Sequence, residues 1–252
     1  MKTAYFKHFS TSLNRDMEYK VYGESGQPIL VFPSQNGRFF DFEDQGMVDC
    51  VKDFVESNRI VLYACDSNDL NSFSDQTHLP PYRIHQQEAY YHYIVDELVP
   101  IIQKDCITPK KNTYKGILTT GCSMGAYHAL NCFLRRPDLF SGVIGLSGAY
   151  DVRLFFNDYF DSLCYDNSPV DYINGMPYDH PYVEKYKQSK IILCCGRGAY
   201  ENPMQEDLAR MQELFFYKDI PAWIDFWGLD VSHDWVWWRK QLPYFLEAIL
   251  HD

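Results

Sequence analysis

Short apolar runs alternate along this chain with longer stretches of helical periodicity, and no other feature restricts its folding as much. The runs occupy residues 29–32, 59–65, 115–120, 142–146, 190–195 and 222–227. Most are nearly continuous in aliphatic, cysteine and aromatic residues. A strand apolar on both faces must be covered on both faces, which is the habit of parallel sheets. Between and after them, residues 45–57, 83–105, 124–136, 203–218 and 235–250 carry helical spacing. Strands interleaved with helices predict an α/β fold, a mostly parallel central sheet with helices on both faces. Pro33 ends the first run. Residues 3–23 alternate more and hold Asn14-Arg15-Asp16, which predicts a hairpin at one sheet edge.

One segment breaks the rhythm. Residues 152–187 are rich in Phe, Tyr and Asp, without periodicity, and contain Pro169, Pro177 and Pro181. A long aperiodic excursion inside a compact domain is usually functional, so an insertion forming a lid or pocket wall near the active site is expected. The competing reading is surface padding that packs its own aromatics. No Gly/Ser- or Pro-rich linker divides the 252 residues, so 1–252 reads as a single domain.

Composition removes several function classes. Aromatic residues make up 17% of the chain, too many for a disordered one. Asp and Glu total 34 against 23 Lys and Arg, a net charge of −11. That balance argues against nucleic acid or an anionic membrane as partner, since both need a basic face. No apolar stretch approaches the ~20 residues of a membrane span. The amino terminus lacks the apolar run of a signal peptide. The 8 cysteines, without CxxC pairs, therefore read as thiols of a reducing cytoplasm rather than as disulfides or zinc ligands. Cys194 and Cys195 are adjacent in an apolar run and should face opposite sides of a strand as small buried hydrophobes.

The chemistry concentrates at Gly121-Cys122-Ser123-Met124-Gly125, which follows a strand and precedes a helix. This is the context in which G-x-S-x-G forms a nucleophile elbow. The turn is too tight for side chains beside the serine, hence the glycines; Ser123 is lifted to the carboxyl edge of the sheet, at the positive end of the next helix. Apolar Ile117-Leu118 before it, and Ala126, Ala129, Leu130, Phe133 and Leu134 after it, make chance a poor account. Cys122 holds the variable position and reads as packing.

A serine nucleophile needs a base, and hydrolases of this kind order their residues Ser, acid, His. His233, in the Gly228–Trp235 loop between the last strand and the last helix, fits that slot. His8 and His251 are terminal, His78, His85, His92 and His180 lie outside such a loop, and His128 sits on the nucleophile helix, where an exposed or packing role is expected. No H-E-x-x-H spacing supports zinc hydrolysis. For the acid, Glu201 is the first carboxylate after the fifth run; Asp151, after the fourth, is its main rival, with Glu206 and Asp207 behind, and a solvated charge is the commoner fate of any of them. Two backbone amides must hold the oxyanion. One is expected from Met124 and the other from the 33–37 loop, with Gln35 preferred over Ser34 or Asn36. Phe39, Phe40 and Phe42, and Trp235, Trp237 and Trp238, are candidates to line an acyl or sugar pocket, or else core.

With these residues in place, the chain resembles the esterase D-like branch of the α/β-hydrolases, which includes S-formylglutathione hydrolases, feruloyl and acetyl-xylan esterases, siderophore esterases and mycolyltransferases. The matching pieces are the elbow, then 136–144 leading to Leu146-Ser147-Gly148, then Ser232-His233-Asp234-Trp235 with Trp238 and 242–246. They span about residues 29–250. The chain departs from the family where Pro33-Ser34-Gln35-Asn36-Gly37 replaces its usual His-Gly oxyanion pair, and where Glu201 stands in place of a frequent Asp. The resemblance implies an α/β-hydrolase that cleaves small-molecule or carbohydrate acyl esters with Ser123, His233 and Glu201, needs no metal or organic cofactor, and leaves room for a homo-oligomer. An acyltransferase of the same fold, or a non-catalytic binding protein built on it, are the alternatives.

Overall fold

The computed structural model describes residues 1–106, 116–156 and 158–250. A hairpin of β1 (Thr3–Ser10) and β2 (Arg15–Tyr22) leads into β3 (Gln27–Phe32), which Pro33 follows. Three short helices come next, α1 (Asp41–Asp44), α2 (Met47–Cys50) and α3 (Lys52–Glu56), where the sequence predicts one. Gly46, with φ 72°, and Val51, which leaves helical geometry, divide that stretch. β4 (Ile60–Cys65) is followed by a long helical run: α4 (Pro80–His92), a π-helical turn (Tyr93–Leu98) and α5 (Val99–Cys106). It begins before the predicted start because a proline in the first turn loses no helical hydrogen bond.

β5 (Ile117–Cys122) passes directly into α6 (Met124–Arg135), and β6 (Phe140–Leu146) into the excursion. Lys115, where the third strand was expected to start, lies outside the described residues. The excursion is four short helices, α7 (Arg153–Phe156), α8 (Ser162–Asp166), α9 (Pro169–Gly175) and α10 (Pro181–Lys187). Pro169 and Pro181 open helices, so two of the three prolines that obscure its periodicity are start signals. β7 (Lys190–Cys195), α11 (Asn202–Tyr217), β8 (Trp223–Phe226) and α12 (Trp235–Leu250) complete the order.

The strands form one eight-stranded sheet in the order β1-β2-β4-β3-β5-β6-β7-β8. β1 and β2 pair antiparallel at one edge, β2 joins β4 antiparallel, and the pairs from β4 to β8 are parallel. Period-two alternation splits the core. Leu30, Phe32, Tyr63, Val143, Leu193 and Cys195 pack in one apolar layer with residues of α5, α6 and α11. Ile29, Val31, Leu62, Ile144, Ile192 and Cys194 pack in a second, with α2, α3 and α12. Cys194 and Cys195 thus divide between the layers as their strand position predicts. The parallel strands all end at one edge, so the loops after β3, β4, β5, β6, β7 and β8 meet there.

Candidate active site

The turn from β5 to α6 is sterically determined. Ser123 takes φ 56° and ψ −121°, a conformation that non-glycine residues hold only when their surroundings over-determine it. Its amide donates to the Leu146 carbonyl at 2.8 Å. A Cβ on Gly121 would lie 2.4 Å from the Gly125 carbonyl carbon, and one on Gly125 would lie 2.5 Å from the Phe32 carbonyl oxygen. Both glycines of the motif are therefore required by backbone contact. Burial pushes the Cys122 thiol well above its ordinary range, which suits packing rather than attack.

Ser123 Oγ lies 2.9 Å from His233 Nε2, and His233 Nδ1 lies 3.3 Å from Glu201 Oε2. The second distance is slightly beyond the ~2.6–3.2 Å of a tight pair. Two interlocked loops hold this series. The Arg197 and Gly198 amides, after β7, donate to Gly228 and Val231 carbonyls after β8, and the His233 amide donates back to the Ala199 carbonyl. A Cβ on Gly196 would fall 1.9 Å from the Val231 carbonyl oxygen. Glu201 is wholly buried, and a buried carboxylate needs donors. Ser147 Oγ–H donates to its Oε1 at 2.6 Å, and Trp238 Nε1–H donates to Ser147 Oγ at 3.0 Å. The Trp238 ring also stands edge-on to His233. Ser147 was not singled out from the sequence; its place at the end of β6, in Leu146-Ser147-Gly148, was the available signal.

The rival carboxylates are engaged elsewhere. Asp151 pairs with Arg153 and Arg210 at 3.1 and 2.7 Å. Burial raises its pKa, but bonds from Arg210 and the Arg153 amide outweigh that and hold it below the usual range. Asp207 accepts the Tyr150 and Asp151 amides, and burial lifts its pKa. Glu206 is exposed.

In the loop after β3, the Ser34 amide donates to Asp41 Oδ2 and the Asn36 amide to Asp69 Oδ2, each at 3.0 Å. Among the described residues, the Gln35 and Met124 amides have no acceptor. Both residues border a cavity of ≈80 Å³ with Ser123. Its far side is Leu154 and Phe155 of α7, with Met204 of α11, so the excursion supplies a wall. None of the candidate aromatics Phe39, Phe40, Phe42, Trp235, Trp237 and Trp238 borders the cavity, and Phe42 and Trp238 take the alternative role as core of the α12 layer. A larger concavity of ≈770 Å³ sits at the opposite ends of β7 and β8, around Lys190 and Trp223, remote from the serine. His128 is not a simple packing residue: it is 1% exposed and bonded to Asp69.

Comparison with known proteins adds a family. The model of the family described as "Putative esterase" matches residues 10–249. The chain belongs to that family. Among solved structures, this esterase-family chain is similar to a ferulic acid esterase, with 17% identity, a TM-score of 0.73 and coverage of 99% of this chain and 97% of that one. It is similar to the S-formylglutathione hydrolase of Staphylococcus aureus (13% identity, TM-score 0.70, 99% and 97% covered). The corresponding enzyme of Agrobacterium tumefaciens matches at 14% identity and TM-score 0.72, with 99% and 94% covered. At such identities the likeness is one of fold, that of the α/β-hydrolase type. A comparison with curated proteins finds no match. No helix among the described residues is long and apolar enough to cross a membrane.

Proposed function

We propose that this member of the esterase family is a carboxylic-ester hydrolase working through a Ser123–His233–Glu201 triad. The observation that carries the reading is the 2.9 Å contact between Ser123 Oγ and His233 Nε2, with buried Glu201 against the far ring nitrogen. Ser123 Oγ attacks the ester carbonyl carbon while its proton passes to His233 Nε2. Glu201 favours the resulting imidazolium and fixes the ring's tautomer. The oxyanion is held by the Met124 and Gln35 N–H groups, at the start of α6 where the helix dipole also favours negative charge. Collapse expels the alcohol, which takes the proton from His233. Water, deprotonated by the same imidazole, then releases the acid and restores the serine.

The cavity bears on the acyl group. Pockets for drug-sized ligands run to roughly 300–1,000 Å³, against ≈80 Å³ here. A space of this size beside Ser123 favours a short acyl chain. The substrate we infer is a short-chain acyl ester of a small molecule or carbohydrate, bound by residues 1–252 acting as one domain. With seven of the eight cysteines buried as small apolar side chains, we place the protein in the cytoplasm, a siting that cell fractionation tests.

A p-nitrophenyl ester series from acetate to octanoate tests the reading. We expect turnover concentrated at the short end. Absence of hydrolysis across the whole series, or undiminished hydrolysis by Ser123→Ala, rejects it.

A further inference from the structure

We propose that the buried pair His128–Asp69 is a positioning device for the oxyanion loop, setting where the Gln35 amide points. The proposal rests on the triad reading above and adds residues that neither the elbow nor the triad contains.

The geometry forms a continuous path from the nucleophile helix to the loop. His128, on α6, places Nε2 3.0 Å from Asp69 Oδ1. The other oxygen, Asp69 Oδ2, accepts the Asn36 amide at 3.0 Å. A second path leaves the same residue. The Asp69 carbonyl accepts the Ser74 amide at 2.8 Å, and Ser74 Oγ accepts from Gln35 Nε2 at 2.8 Å. Gln35 is therefore held through its side chain and through the peptide that follows it, both by way of Asp69. On the preceding side, Asp41 fixes the Ser34 amide.

Why such a device is needed follows from the loop's conformation. Asn36 sits at φ 61°, a left-handed geometry that a side-chain-bearing residue keeps only under external constraint. The loop also lacks a helix start that would align its amides. With the amides on both sides of Gln35 pinned to carboxylates, the Gln35 N–H is the one left to face the cavity. The brace itself is rigid: Asp69 is 0% and His128 1% exposed, and rings of Phe32, Phe73, Tyr90 and Tyr127 surround the imidazole. A carboxylate so buried cannot turn to water and must keep its protein donors. Because His128 rides on the helix that begins at Met124, the pair ties the two oxyanion amides into one frame, and a fixed frame is what electrostatic preorganisation requires.

The test is kinetic and uses the full-length enzyme. His128→Phe and Asp69→Ala are compared with His128→Gln and Asp69→Asn, which keep a polar atom in each position. Measured are kcat and KM on p-nitrophenyl acetate, and inhibition by a short trifluoromethyl ketone, whose serine adduct carries an oxyanion. Circular dichroism and melting temperature report the fold. Loss of one oxyanion donor costs about 10²–10³ in kcat. We expect His128→Phe and Asp69→Ala to lose about 10²-fold in kcat with little change in KM, and to lose ketone affinity in parallel. The conservative pair should lose less, about 10-fold in both, because a weaker hydrogen bond remains in each. Folded His128→Phe or Asp69→Ala enzyme with near-normal kcat and ketone affinity overturns the proposal. So does a kcat loss in any of the four variants that leaves ketone affinity unchanged. Should the first two not fold, Asp69→Asn and His128→Gln decide alone: melting temperatures lowered with kcat and ketone affinity intact make the pair structural only, whereas joint loss of kcat and ketone affinity in a folded variant sustains it. Ser123→Ala in the same assay separates this outcome from failure of the triad reading, since an active Ser123→Ala protein removes the nucleophile itself.

Discussion

Two regions border Ser123, and they are held in place by different means. The loops after β5, β7 and β8 are fixed by backbone against backbone: amide-to-carbonyl bonds join residues 197–199 to 228–233, and Gly121, Gly125 and Gly196 sit where a Cβ has no room. The α7–α10 excursion is built of helices of four to seven residues, too short to persist by themselves. It is held by side chains, with Arg153 on Asp151 and Asp171, and with Asn167 on Glu88, which also pairs with Arg135. The difference teaches where variation is tolerable. The proposed triad sits on a frame that cannot move without a backbone clash, whereas the wall beside Ser123 can be recut by changing side chains.

The largest effect expected from attacking the first region is that of Ser123→Ala, which should lower kcat by about 10³-fold or more with the circular dichroism spectrum unchanged. Near-normal turnover by the folded variant would remove the mechanism. Next comes the acid. Glu201→Gln should cost about 10²-fold or more in kcat because an amide cannot stabilise the imidazolium. Asp151→Asn, which disturbs the ion pairs to Arg153 and Arg210, should cost far less; the reverse ranking would move the acid to Asp151.

Smaller effects should come from the second region and should alter selection rather than chemistry. Phe155→Ala enlarges the cavity and is expected to improve octanoate relative to acetate by roughly 10-fold, a hydrophobic-pocket magnitude. An unchanged chain-length profile would detach the excursion from acyl choice. The mildest case is Glu88→Gln. Burial raises the Glu88 carboxyl, but the hydrogen bonds and charge of Arg135, with Asn167, outweigh it and hold its pKa below the ordinary value. A depressed carboxyl contributes stability at pH above its unfolded value and loses it as pH falls through the folded one. The variant should therefore melt a few degrees lower near neutrality, with the gap closing in acid. Equal melting temperatures at neutral pH would show the anchor to be idle.

Much of this was legible locally. Apolar runs, most of them nearly continuous, announced a sheet covered on both faces, because burial of both faces leaves few polar positions in a strand. The elbow was legible because its glycines answer to contacts within a few residues. Helix 45–57 was misread as continuous, since Gly46 in a left-handed turn and Val51 outside helical geometry give little periodic signal. The four helices of 152–187 were illegible because each spans only four to seven residues, too few to show an amphipathic repeat.

The order of elements, the tight serine turn, the candidate histidine and a short set of candidate carboxylates and amides were thus determined by the sequence itself. All of them follow from short-range sterics and apolar spacing. Which carboxylate stands beside His233, and which amides of the 34–36 loop are already taken, was decided only in three dimensions. Those pairings join residues 32 and 33 positions apart, Glu201 with His233 and Asn36 with Asp69. Strand order and loop interlocking bring them together, and no local pattern encodes either. His128 makes the same point: a helix position that reads as packing becomes half of a buried hydrogen-bonded pair because β3 places Asn36 and its loop beside Asp69.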